Sequence, residues 1–216
     1  MDIKNFKPSH NISFNARNIA QAYINKSNQT IDLFALNPSD MKFANEFYKN
    51  FDLKALYPNL KSYEDFIIWQ GIIKNGIEKI GFQDVILAVH NKKPCGIMAF
   101  SEEDRQLNLT DLATWRTEPN KDIFYVGKTL MHHLFDIAHK NDILNISLIP
   151  SNGTPRGKSC KNFYSQFGFR RTANNHMNLF GANYAQKAND LEKLFDYKTI
   201  DNAPNLDLNN NLSFII

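Results

Sequence analysis

Two cysteines in 216 residues, Cys95 and Cys160, are too few and too far apart for a disulfide framework, and no CxxC spacing offers a zinc knuckle. With 9 Gly and 8 Pro the chain is neither collagen-like nor of low complexity. No run reaches the roughly 18 apolar residues that a bilayer span needs. The opening, MDIKNFKPSH, lacks the apolar h-region of a signal peptide, so a cytoplasmic chain is expected. Charge of one sign is missing too: 25 basic and 22 acidic side chains leave +3, which argues against nucleic acid or another polyanion as partner. What remains is ordinary for a folded core, 43% hydrophobic and 12% aromatic, and one domain is simpler than two. No internal repeat appears at solenoid or propeller periods. Asparagine is abundant, as at Asn174-Asn175 and Asn209 to Asn211, and reads as coding bias rather than chemistry.

Along the chain, residues 1–29 read as a polar extension with a short helix from about Asn15 to Asn25. Thr30 to Leu36 alternates as a strand and stops at the turn chemistry of Asn37-Pro38-Ser39-Asp40. Helices are expected from about Met41 to Asn50 and from Tyr63 to Gly81, the second capped by Ser62, with Phe66, Trp69, Ile73 and Ile77 on its apolar face. Val85 to Val89 and Cys95 to Phe100 form a hairpin around His90 to Pro94, and Leu107 to Trp115 is a third strand. A helix from Val126 to Lys140 carries an apolar stripe of Leu130, Met131, Leu134, Phe135 and Ala138. Its opposite face, Thr129, His132, His133, Asp136 and His139, is expected to be solvated. Then come a strand at Asn145 to Ile149, a short helix at Ser159 to Phe167, and a hairpin at Arg170 to Phe180. A C-terminal helix is expected from Asn183 to Tyr197. The order predicts an α/β fold with one mixed sheet flanked by helices.

Three features stand at meaningful spacings. The stretch Leu112 to Leu134 is strand, loop and helix, with Pro119 eight residues before Gly127-Lys128-Thr129-Leu130. The strand at Ile146 to Ile149 should lie parallel to the first. The third is Tyr164-Ser-Gln-Phe-Gly168-Phe169, a helix ending in a glycine cap. Together they resemble the GNAT family of acyl-CoA-dependent N-acetyltransferases, whose motifs read V-x-P-x-x-R-G-x-G-I-G-x-x-L and Y-x-x-x-G-F. Pro119, Gly127 and Leu130 fall in register with the first motif, and Tyr164, Gly168 and Phe169 with the second. The resemblance covers about Thr30 to Phe180. It implies a single GNAT-like domain over 30–180, an N-terminal extension over 1–29, and a C-terminal helix and tail over 181–216.

The resemblance also implies acetyl-CoA as acyl donor and an amine as acceptor. A helix N-terminus with unpaired N–H groups suits a pyrophosphate, and glycine lets backbone approach it. The donor contacts implied run from Trp115, Arg116 and Thr117, beside the acetyl carbonyl, through Tyr125, Val126, Gly127 and Lys128, to Asn152, Arg156 and Lys158. Tyr164 matches the family's general acid, and Asp111 or His176 is a candidate base, with a water chain as the other route. The chain departs from the family at Asp122, which replaces Arg, and at Ile123 and Tyr125, which replace glycines. That cluster motivates an alternative: a non-catalytic GNAT-like chain that acts through protein–protein contact.

Two other signals are weaker. Gly157-Lys158-Ser159 follows Asn152 where a Walker A loop needs Gly, so a nucleotide triphosphatase is not expected. His132, Asp136 and His139 share a helix face but find no fourth ligand, so no metal is expected. The extensions are free to cap the sheet, close over the acceptor cleft or form a homodimer interface. No membrane role is expected.

Overall fold

The computed structural model describes residues 16–58, 63–151 and 160–201, together with the backbone of 205–206. The strands are β1 (Ala16–Ile24), β2 (Gln29–Leu36), β3 (Asp84–His90), β4 (Lys93–Glu103), β5 (Gln106–Thr114), β6 (Asn145–Leu148), β7 (Arg170–Arg171), β8 (Met177–Phe180), β9 (Asp196–Thr199) and β10 (Asn205–Leu206). The α-helices are α1 (Met41–Asn50), α2 (Leu53–Leu56), α3 (Tyr63–Glu78), α4 (Val126–Lys140), α5 (Cys160–Ser165) and α6 (Tyr184–Glu192). One sheet runs β10-β1-β2-β3-β4-β5-β6-β8-β7, with β9 also paired to β1. Every pairing is antiparallel except β5 with β6, which is parallel as expected. Ser62, Asn152, Arg156 and Lys158 lie outside the described residues.

Strands β3 and β4 are buried on both faces and so read as continuous apolar runs rather than alternating ones. Two neighbours on β4 show what covers each face. Ile97 packs on Gly76 of α3, whereas a Cβ added at Gly96 would lie 2.9 Å from Val126 and 3.3 Å from Leu130 of α4. Adjacent strand residues point to opposite faces, so α3 and α4 sandwich the sheet.

The hairpins turn tightly. The β3–β4 connection is Asn91-Lys92 alone, with φ of 49° and 63°, and β4–β5 turns at Asp104-Arg105, with φ of 47° and 60°. This is the left-handed two-residue turn whose twist matches a hairpin, and it shortens the five-residue connector expected from His90 to Pro94. Asn28, Asn91, Asp104, Asn120, Asp142, Asn174 and Asn175 all have φ between 47° and 63°. Asn and Asp tolerate that region because their short side chains bond locally. Part of the asparagine content is therefore turn chemistry.

Three expectations need correction. Residues 16–24 are a strand, not a helix: Ala20, Ala22 and Ile24 are buried at period two, while Gln21 and Tyr23 face out. The C-terminal helix stops at Glu192, and the Tyr- and Thr-containing segment Asp196–Thr199 pairs with β1 as β9. Finally, the polar face of α4 is covered in part, while Asp136 is half-buried and His139 exposed as expected. Thr129, His132 and His133 are buried; His132 Nε2 lies 3.0 Å from Glu192 of α6, and His133 Nδ1 lies 2.8 Å from the Tyr197 hydroxyl of β9. The strand that replaces the last helical turns is what closes over those histidines.

Candidate functional site

The parallel pair β5–β6 is registered from Gln106↔Asn145 to Leu109↔Leu148 and ends there. At the same level β5 carries a bulge. Leu109 pairs with Phe100 and Asp111 with Ala99, leaving Thr110 as the extra residue. Its hydroxyl lies 2.7 Å from Gln83 Oε1 and 3.1 Å from the Ala99 carbonyl, sharing its one proton between them, which fixes the bulge. Beyond it β5 runs on to Thr114 paired only with β4, so its other edge opens away from β6.

The polar groups on that edge follow from alternation. Trp115 N–H donates to the Cys95 carbonyl at 2.9 Å, toward β4. Its neighbours on either side therefore face the open edge. The Thr114 carbonyl there accepts the Trp69 indole N–H at 3.2 Å, and Arg116 N–H donates to the Tyr57 hydroxyl at 3.1 Å.

Helix α4 begins against this edge. Its cap, Tyr125, sits at φ 62° and ψ 10°, and among the described residues no side chain caps the helix. The first helical bond is Thr129 N–H to the Tyr125 carbonyl at 2.8 Å, which leaves the N–H groups of Val126, Gly127 and Lys128 ahead of it. Those three donors and the positive end of the helix dipole form a ready anion cradle. A side chain at Gly127 would be tight: an added Cβ would stand 3.1 Å from the Phe163 ring of α5, which would have to give by a few tenths of an ångström, and 3.8 Å from the Thr114 methyl. A left-handed φ on an aromatic residue costs about 1 kcal/mol, and Tyr125 is held in it with Lys128 Nζ 5.3 Å from its ring centroid.

The residues that depart from the family pattern take unexpected places. Asp122 Oδ1 receives Arg116 Nε at 2.7 Å, and the Arg116 guanidinium lies 4.9 Å from the Tyr57 ring centroid. The carboxylate that would repel a phosphate is thus paired with a cation six residues upstream. Ile123 is buried.

Trp115 and Thr117 are both buried. The Trp115 ring packs 5.9 Å from Phe47 and 5.3 Å from Phe51, and its indole donates to the Pro94 carbonyl at 2.7 Å. Its side chain belongs to the core. Asp111, buried on β5, is ion-paired with Lys79, just past the end of α3. Tyr164, on α5, is buried edge-on to Phe163 and Phe169. Burial first, then the nearby Cys160 and Asp111, push its phenol well above the usual tyrosine range, so it keeps its proton. Burial likewise pushes the Cys160 thiol up to about 11. His176 is exposed on the loop before β8. Among the described residues no three His, Cys, Asp or Glu side chains are grouped to hold a metal, and no helix is long and apolar enough to cross a membrane.

The structure therefore brings together the open β5 edge, Arg116, the first turn of α4 and α5 beside it. Sequence reasoning placed Trp69 on the apolar face of its helix but foresaw neither its bond to β5 nor that of Tyr57. It missed Lys79 and the Arg116–Asp122 pair entirely. Neither leaves a spacing signal, because each joins residues through loop conformation.

No protein-family model and no curated protein matches the chain. Its backbone is similar to the PaiA N-acetyltransferase of Thermoplasma acidophilum in complex with coenzyme A, at 18% identity and TM-score 0.45, covering 69% of this chain and 98% of that one. It is similar to a GNAT-family acetyltransferase of Brucella melitensis in complex with acetyl-CoA, at 16% identity and TM-score 0.44, covering 70% and 88%. A third likeness is to the ribosomal-protein-S18-alanine N-acetyltransferase of Escherichia coli, at 16% identity and TM-score 0.42, covering 69% and 93%. Likeness at this identity and superposition does not extend to substrate, ligand or activity. What the chain itself displays is one mixed α/β sheet that opens at a bulge beside an uncapped helix end.

Proposed function

We propose that the chain is a GNAT-type N-acetyltransferase that moves an acetyl group from acetyl-CoA to a primary amine. The observation that carries this reading is the combination of three features along one edge of β5. The β5–β6 pairing ends at Leu109, Thr110 bulges next to it, and beside Thr114 at the far end of the open edge the donors of Val126, Gly127 and Lys128 stand unclaimed by helix bonds. In this reading the pantetheine arm pairs with the open edge of β5 as an added strand would. The pyrophosphate sits on the first turn of α4, with Asn152, Arg156 and Lys158 as further contacts, and the Arg116–Thr117 segment polarises the acetyl carbonyl. Residues 30–180 carry this machinery, while the flanking segments contribute β1, β9 and β10 to the sheet.

The amine nitrogen attacks the acetyl carbon directly, the carbon–sulfur bond breaks, and the thiolate takes the phenol proton of Tyr164. The amine's proton passes through water and restores the proton that Tyr164 gave up, since the ion pair with Lys79 withdraws Asp111 from the base role. Asp111 instead helps keep Tyr164 protonated. Release of coenzyme A thiol should be followed with a panel of amines: a peptide N-terminus, lysine and a polyamine. Tyr164→Phe should lower kcat about a hundredfold and leave the KM for acetyl-CoA unchanged. Equal turnover by the variant removes Tyr164 from the chemistry. A second reading, a non-catalytic binding protein, is favoured by one observation: the Thr114 and Arg116 edge groups are already bonded within the chain. Absence of thiol release with every amine would favour it.

A further inference from the structure

The two bonds on the open edge of β5 point to a property of the donor site that rests on the reading above. A strand that leaves its neighbour exposes backbone groups, and burying such groups unpaired is costly. Two of the groups on this edge have a stand-in within the chain. The Thr114 carbonyl, which would accept a pantetheine amide, accepts the Trp69 indole instead. The Arg116 N–H, which would face an acetyl carbonyl oxygen, is capped by the Tyr57 hydroxyl oxygen. Both stand-ins are aromatic, both are buried, and Tyr57 follows α2 directly while Trp69 lies within α3. Tyr57 is held in place by the Arg116 guanidinium over its ring and by Asp122 behind that guanidinium.

We infer that Tyr57 and Trp69 are internal placeholders for the acyl donor: the Tyr57 hydroxyl marks the seat of the acetyl oxygen, the Trp69 indole that of a pantetheine amide, and binding exchanges one set of bonds for the other. Binding then gains less than new hydrogen bonds would supply, because it must first break old ones. The two placeholders also make separable claims. Coenzyme A, which has the arm but no acetyl group, displaces Trp69 alone, whereas acetyl-CoA displaces both.

Titration of the wild type and Tyr57→Phe with coenzyme A and with acetyl-CoA tests the first claim. The variant keeps the ring beneath Arg116 but leaves its N–H uncapped. It should bind acetyl-CoA about fivefold more tightly than the wild type, as expected for one neutral hydrogen bond no longer broken, and coenzyme A equally well. Equal or weaker acetyl-CoA binding by the variant, with a wild type that binds, overturns the placeholder role and leaves the transferase reading standing. No binding of either ligand by either protein overturns both. The second claim is read in the unmodified chain, which has two tryptophans. The indole N–H resonance of Trp69 should shift on saturation with coenzyme A, while that of Trp115, bonded to Pro94 in the core, should stay. An unmoved Trp69 signal at saturation overturns its part.

Discussion

Acidification from pH 7.5 to 5 should destabilise the wild-type chain by about 2 kcal/mol more than it destabilises His133→Gln. His133 is buried on α4 under β9, with Tyr197 on its Nδ1, and burial pushes its imidazole down to about 4. Asp136 opposes that shift on the same helix, while His132 and Lys140 reinforce it. His132, whose Nδ1 has no hydrogen-bond partner among the described residues, is also lowered by burial and partly restored by Glu192 of α6. The folded chain therefore holds His133 neutral, whereas the unfolded chain takes up a proton near the ordinary value of about 6.5. Between 6.5 and 4 the unfolded state binds more protons, so stability is fully present above that window and falls as pH drops through it. Urea unfolding at both pH values, for wild type and variant, reads the difference directly. Equal losses in the two proteins would show that His133 is charged or accessible in the fold.

Trp115→Ala should cost about 4 kcal/mol of stability, in the range for large aromatic residues truncated in a core. The side chain is 2% exposed and lies between Phe47 and Phe51, so truncation leaves a cavity and strips the Pro94 carbonyl of its donor. Trp115→Phe should recover most of the packing but not that hydrogen bond, losing about 1–2 kcal/mol. Denaturant midpoints at unchanged slope measure both. The same variants separate a structural role from the ligand contact implied by family resemblance. If Trp115 served the donor directly, Trp115→Phe would weaken acetyl-CoA binding far more than its stability loss accounts for.

How much of this was legible beforehand depends on the range of the interaction. Apolar periodicity found α1, α3 and α4 and the strands β2 to β6, because core-facing residues recur at three-and-four or two-residue intervals regardless of what covers them. It failed where composition and period disagreed. Residues 16–24 contain good helix formers, but Ala20, Ala22 and Ile24 bury at period two once Asn18 and Ala20 straddle a register shift. The polar face of α4 looked solvated because its cover, α6 and β9, begins 44 residues after α4 ends. The site divides in the same way. Gly127 and Tyr164 were legible as motif positions, whereas the neutralisation of Asp122 by Arg116, the pairing of Asp111 with Lys79 and the capping of β5 by Tyr57 and Trp69 all depend on tertiary approach. A carboxylate that seemed to forbid a phosphate is paired with its own cation, and only the folded loop shows it.

The most direct test of the account is calorimetric titration of the purified chain with acetyl-CoA, beside Gly127→Asp. A side chain at Gly127 crowds the Phe163 ring, 3.1 Å from its Cβ, and an aspartate adds a negative charge where a pyrophosphate would sit. The account predicts micromolar binding by the wild type and at least a hundredfold loss in the variant, about 2.7 kcal/mol. Wild-type binding that survives Gly127→Asp would contradict the placement of the donor on α4, and no binding by the wild type would contradict the transferase reading itself.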